Sequence, residues 1–218
     1  MGAGRQGVAL ALGVALALAA GPAKADSDRK MDRQLELFER VLDDVLVESP
    51  NWLVQSRHET RGRYRSGEGA RFRFDASLVG SKWSGRGWWD GWWGDDDRRV
   101  LVIDGDDWEE LDLDDADRKE RSEIRKKWSD RRIKRDERLY SRGKSELIEA
   151  ILDYGSLLSG VPDGEWLTLE VDLDRAELFD EKDLGTLTLK AKMADVRAYS
   201  DERIDEKTMI GRIVVEES

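Results

Sequence analysis

The chain has 218 residues, with 37 Lys and Arg against 48 Asp and Glu, a formal net charge of −11, and no Cys. The missing Cys excludes disulfides, thiolate nucleophiles and Cys-based zinc or haem sites, and the lone histidine, His58, excludes metal sites built on several imidazoles of one chain. The acidity makes a general nucleic-acid binder a poor fit, because phosphate is repelled, and the 39 % charged content exceeds the usual quarter.

Residues 1–25 read as a cleavable export signal. Arg5 forms a positive start, Val8 to Gly21 is an apolar run, and Ala23-Lys24-Ala25 places small residues where signal peptidase reads. The run is shorter than the roughly 20 apolar residues a spanning helix needs. No second such run follows, so no transmembrane segment is expected in the mature chain. Removing Arg5 and Lys24 with the signal leaves 35 basic against 48 acidic residues, a net of −13. The expected product, 26–218, is a single periplasmic or extracellular domain.

Residues 27–47 predict an amphipathic helix, with Met31, Leu35, Phe38, Leu42 and Val45 along one face and Ser49-Pro50-Asn51 as its stop. Residues 60–79 predict a β-hairpin. Ala70, Phe72, Phe74, Ala76 and Leu78 alternate with polar residues, and Gly67-Glu68-Gly69 suits a three-residue loop with Gly69 in the left-handed region. That loop pairs Tyr64 with Phe72, Arg65 with Arg71 and Arg63 with Arg73. It places four arginines, Arg63, Arg65, Arg71 and Arg73, on the face opposite the aromatics.

Residues 81–117 form a Trp-rich and acidic insert. Gly87-Trp88-Trp89-Asp90 is followed by Gly91-Trp92-Trp93-Gly94-Asp95, and with Trp83 the segment holds five of the nine Trp. Such rings are candidate platforms for sugars or a partner, weighed against a flexible low-complexity insert whose rings collapse locally. Val100 to Ile103 reads as a short strand. From Asp95 to Asp117 there are 12 acidic and two basic residues; from Arg118 to Lys144 there are 13 basic and five acidic. The basic stretch, 118–144, predicts a charged, thinly apolar helix supported by pairs such as Glu123 with Lys127. Residues 145–159 predict a separate core helix through Leu147, Ile148, Ile151, Leu152 and Leu158. Strands follow at Leu167 to Leu173 and Leu187 to Met193, short helical turns at Ala194 to Ser200 and Asp205 to Ile210, and a last strand at Arg212 to Val215. The fold class is α+β: a mostly antiparallel sheet packed with helices, plus a charged, partly flexible helical insert.

Arg61 to Phe74, with its Gly-x-Gly turn and Phe-x-Phe strand, Leu152 to Leu173, with Asp153-Tyr154-Gly155, Pro162-Asp163 and Trp166, and Arg212 to Glu217 resemble a loosely defined group of exported bacterial proteins of unknown function. The resemblance covers under half of the chain. It implies an exported α+β protein and carries over no catalytic residue.

Catalytic motifs fail on inspection. Gly143-Lys144-Ser145 imitates the end of a phosphate-binding loop, but Arg138 stands where the leading Gly is required. His58-Glu59 lacks a Gly-x-Ser-x-Gly partner. A dedicated calcium loop starting at Asp112 meets Ala116 and Asp117 at positions that need an oxygen ligand and a Gly. With 48 acidic residues, no carboxylate pair stands out for acid catalysis. No cofactor or metal is implied.

Like charges opposite each other on a sheet repel, so an anion is expected beside the arginines. Either the acidic run supplies it or an external acidic polymer does. The composition therefore points to a non-enzymatic protein-interaction or envelope-associated protein, uncertain as to any activity, with a glycan-binding or glycan-cleaving protein using the Trp platform as the alternative.

Overall fold

A computed structural model describes residues 21–54, 58–80, 99–104, 107–112, 118–174 and 176–218. The elements run α1 (Gly21–Glu48), β1 (Trp52–Leu53), β2 (Arg61–Arg65), β3 (Gly69–Leu78), β4 (Arg99–Asp104), β5 (Asp107–Asp112), α2 (Arg118–Tyr154), β6 (Trp166–Leu173), α3 (Glu177–Lys182), β7 (Thr186–Lys192), α4 (Met193–Ser200), α5 (Glu206–Ile210) and β8 (Val214–Glu217). The main sheet has the order β1-β3-β6-β7-β8, with β2 also on β3, while β4 and β5 form a separate antiparallel pair. The fold is α+β, and all main-sheet pairings are antiparallel except the central β3–β6 pair.

Alternation decides the faces. Phe72, Phe74, Leu167, Leu169, Val171, Leu187 and Leu189 point to one side and are buried with Leu35, Phe38, Leu42 and Leu46 of α1 and Leu147 and Ile151 of α2. Helix α1 thus keeps its expected apolar stripe, but the last core position is Leu46, and Val45 is only partly buried. The other side of the sheet carries polar and charged residues.

In place of the two predicted helices, 118–144 and 145–159, one helix of 37 residues runs through Gly143 and ends at Tyr154, followed by a 3-10 turn, Gly155–Leu157. Gly143 persists there because α2 lies against Trp52: a Cβ at 143 would meet the indole at 2.5 Å. Trp52 is 2 % exposed, its ring lies edge-on to Tyr140 at 6.1 Å, and Tyr140 lies edge-on to Phe179. Packing at this aromatic chain outweighs the roughly 1 kcal/mol that Gly costs a helix interior.

The sequence pattern did not anticipate β1, α3 or the full β4–β5 hairpin. Part of the acidic run, Asp107–Asp112, is a strand opposite Arg99–Asp104. Residues 95–98, 105–106 and 113–117 of that run, the export signal up to residue 20, and Trp83, Trp88, Trp89, Trp92 and Trp93 lie outside the described residues.

Candidate functional site

The β2–β3 hairpin forms as expected, but its register differs by two residues. Arg61 is opposite Arg73, Gly62 opposite Phe72, Arg63 opposite Arg71, and Tyr64 opposite Ala70. The loop is Ser66-Gly67-Glu68, and Gly69 already belongs to β3. The reason is steric. Phe72 is fully buried and tilts against Phe38 at 4.6 Å between ring centroids. Only a residue without a side chain fits across from it: a Cβ on Gly62 would stand 2.6 Å from the Phe72 ring. Tyr64 opposite Phe72 would place two large rings where one fits. Gly69 does take a positive φ, +112°, and a Cβ there would meet the Trp166 carbonyl at 2.0 Å.

A shift of two residues preserves the faces. Arg63, Arg65, Arg71 and Arg73 therefore share the open side as expected, and Arg61 joins them. Counter-charge for two of them comes from neither expected source, the acidic run or an external polymer, but from the neighbouring strand β6. Arg73 forks onto Asp172, with Nε–Oδ2 at 2.5 Å and Nη2–Oδ1 at 2.9 Å. Glu170 lies 3.4 Å from Arg73 and 3.5 Å from Arg71. Arg65 pairs with Glu68 in the turn at 3.0 Å. Among the described residues, no carboxylate lies within ion-pair distance of Arg61 or Arg63. Surface pairs like these stabilise by less than about 1 kcal/mol each; their consequence is to aim the guanidinium groups.

The register across the sheet organises this face into rows. One row runs Arg65, Gly69, Trp166, Lys192; the next Arg63, Arg71, Thr168, Lys190, Val214; the next Arg61, Arg73, Glu170, Thr188, Glu216; and a last one Asp75, Asp172, Thr186. Charge is therefore graded along the strands, basic beside the β2–β3 turn and acidic at the far end. These positions hold seven basic and four acidic residues, a local reversal of sign on a chain of net −11 that directs where anions approach. The arginines border a half-open concavity of 780 Å³ whose far wall includes His58, Glu59 and Asp75.

At the acidic end, partial desolvation and then a hydrogen bond with Asp172 raise the Asp75 carboxyl above its usual value, with Glu59 adding to the effect and Arg73 opposing it. At the turn, Glu165 is buried and accepts from the Gly67 amide at 2.7 Å and the Tyr64 hydroxyl at 3.4 Å. Burial and this carboxylate hold the Tyr64 hydroxyl above its ordinary range.

His58 adopts a left-handed φ of +76°, and its Nδ1 lies 3.5 Å from Asp43 of α1. Its structural partner is thus Asp43, whose other oxygen accepts from the Thr60 amide at 3.1 Å. The Ser159 hydroxyl accepts from Gln34. These contacts bring neither serine nor Glu59 to the imidazole. Lys144, in the phosphate-loop imitation, is instead bound to Glu217 at 2.9 Å.

Lys190, Glu170 and Asp172 were not singled out by sequence, and Trp166 was named only within the resemblance, not as a site residue. Alternation within β6 and β7 places them on the polar side, but their position beside the arginines depends on the parallel β3–β6 pairing, which no local pattern encodes. Neither a protein-family model, nor a curated protein, nor a solved structure matches this chain. Among the described residues, no helix is long and apolar enough to cross a membrane.

Proposed function

We propose that this is an exported, non-enzymatic binding protein whose arginine-bearing sheet face receives an anionic partner outside the cytoplasm. The observation that carries this reading is the pairing of like charges across β2 and β3. Arg61 faces Arg73 and Arg63 faces Arg71, an arrangement that destabilises a sheet unless counter-charge is present. Glu170 and Asp172 neutralise only the β3 partners. Among the described residues, no carboxylate is paired with Arg61 or Arg63, and their guanidinium forks have the geometry used for carboxylate, sulfate or phosphate. The export step rests on the leader-like composition of residues 1–25.

The test is capture from envelope and medium fractions by the tagged protein, compared with an Arg61→Gln/Arg63→Gln variant. Capture that falls with added salt and is lost in the variant supports the reading. Equal capture by both proteins overturns it. The export step has its own check: the mass of the protein recovered outside the cytoplasm should match a chain starting at Asp26.

Glycan recognition is the second reading. It is favoured by Trp166, the one aromatic residue on the open face of the described main-sheet strands.

A further inference from the structure

We propose that the anionic partner is a linear polysaccharide bearing carboxylates, which lies across the strands at the basic end of the sheet. This inference rests on the binding role of the arginine face and names its partner class.

Three features converge on it. First, the row Arg63, Arg71, Thr168, Lys190, Val214 crosses five strands and carries a cation on three of them; Lys190 is held by Glu216 at 2.7 Å and Arg71 lies 3.5 Å from Glu170, while no described carboxylate reaches Arg63. Neighbouring strands lie about 4.8 Å apart, so the row is a line of positive groups perpendicular to the strands. A polymer with an acidic group on its sugars offers a matching line of negative ones. Guanidinium forks favour planar carboxylates, which they bind through two parallel hydrogen bonds.

Second, the adjoining row contains a platform. Trp166 is only half-buried, Lys192 sits 5.1 Å from its ring centroid, and the neighbouring position on β3 is Gly69, which has no side chain. Lys192 lies over one face of the ring, and no side chain stands between Trp166 and Arg65 in the row. A flat aromatic bordered by cations suits a sugar ring that carries a carboxylate.

Third, the central strands of the same face lack the apolar cluster that a protein partner normally uses. Interfaces between proteins are anchored by clustered aromatic and aliphatic side chains in a dry centre. Along β2, β3, β6 and β7, the open-face positions carry Arg, Lys, Asp, Glu, Ser, Thr, Gly and the single Trp166; the exposed aliphatic residues of this face, Leu53 opposite Ser77 on β1 and Val214 opposite Lys190 on β8, stand apart on the outer strands. The acidic row at the other end, Asp75 with Asp172, confines an anionic chain to the strip beside the turn.

The test is titration of the purified protein with polygalacturonate, its neutral methyl ester and poly-L-glutamate, followed by calorimetry at several salt concentrations. Polygalacturonate should bind, weaken steeply with salt, and lose its affinity on methyl esterification. Arg63→Gln/Arg71→Gln should weaken binding roughly tenfold or more while the thermal melt stays unchanged, as expected for losing two charge-assisted donors. Arg65→Gln supplies an independent variant at the platform and should also weaken it. If poly-L-glutamate binds as tightly as polygalacturonate, the polysaccharide inference is overturned while the anion-binding role stands. If neither polyanion binds, both fall.

Discussion

Asp75 and Asp172 stand directly opposite each other across the parallel β3–β6 pair and share a hydrogen bond, with Arg73 bound to the second of them. Two carboxylates in this position cannot both be ionised without repulsion. Desolvation, and then Asp172, raise the Asp75 carboxyl above its ordinary value.

The pH dependence follows from that. The folded-state pKa of Asp75 is raised above 3.8, so between 3.8 and the raised value the folded chain binds more protons than the unfolded one. Stability therefore falls as pH rises through this window and stays reduced above it. Asp75→Asn should remove the repulsion, raise the melting temperature at neutral pH and leave stability at pH 3 nearly unchanged. Melting curves of both proteins from pH 3 to 8 check the sign.

Glu217 acts in the opposite sense. It accepts from Lys144 at 2.9 Å and from Tyr140 at 3.0 Å, tying β8 to α2. The Lys144 ammonium, helped by Tyr140, lowers its pKa below 4.5 against the effect of burial. Its stabilisation is full above pH 4.5 and is lost as pH falls through the lowered value. Burial and the same carboxylate raise the Tyr140 hydroxyl well above its ordinary range. Glu217→Gln should flatten the acid limb of the stability curve and cost less than about 1 kcal/mol at neutral pH, since the pair is partly solvated. Amide exchange in 214–217 should quicken.

Gly143→Ala reverses the usual rule. In an exposed helix this change stabilises by about 1 kcal/mol. Here the added methyl would press on the Trp52 indole at 2.5 Å, within a ring stack that has no room. A net loss of about 1–3 kcal/mol is expected from overpacking, read as a lower urea midpoint at unchanged slope.

Glu165→Ala tests how the turn beside the arginines is held. The buried carboxylate accepts from the Gly67 amide and the Tyr64 hydroxyl. Its loss leaves two donors without that acceptor and should cost about 1–3 kcal/mol. Faster hydrogen exchange at Gly67, with exchange in α2 unchanged, would show that the effect is local. A uniform acceleration across the chain would refute that.

Much of the fold was legible because it follows short-range periodicity. The α1 stripe from Leu35 to Leu42, the alternation of Phe72 and Phe74, and the apolar positions of β6 and β7 all lie where their spacing placed them. Features that depend on distant residues were not legible. The hairpin register turned on Phe38 and Phe72 competing for space with residue 62. The continuity of α2 through Gly143 turned on Trp52, about 90 residues earlier in the chain. The two-residue strand β1 and the six-residue helix α3 are too short to carry a period of their own.

The candidate site divides in the same way. Residue order alone determined that Arg63, Arg65, Arg71 and Arg73 share one face, because side-chain direction in a strand alternates strictly and survives a shift of two. It also determined the absence of cysteine chemistry and the acidic balance of the chain. Only the tertiary structure decided which carboxylates stand beside those arginines. Glu170 and Asp172 reach them through a parallel pairing between strands almost 100 residues apart. Such a pairing is set by the burial of both strands against α1 and α2, a long-range energy that no local spacing of residues records.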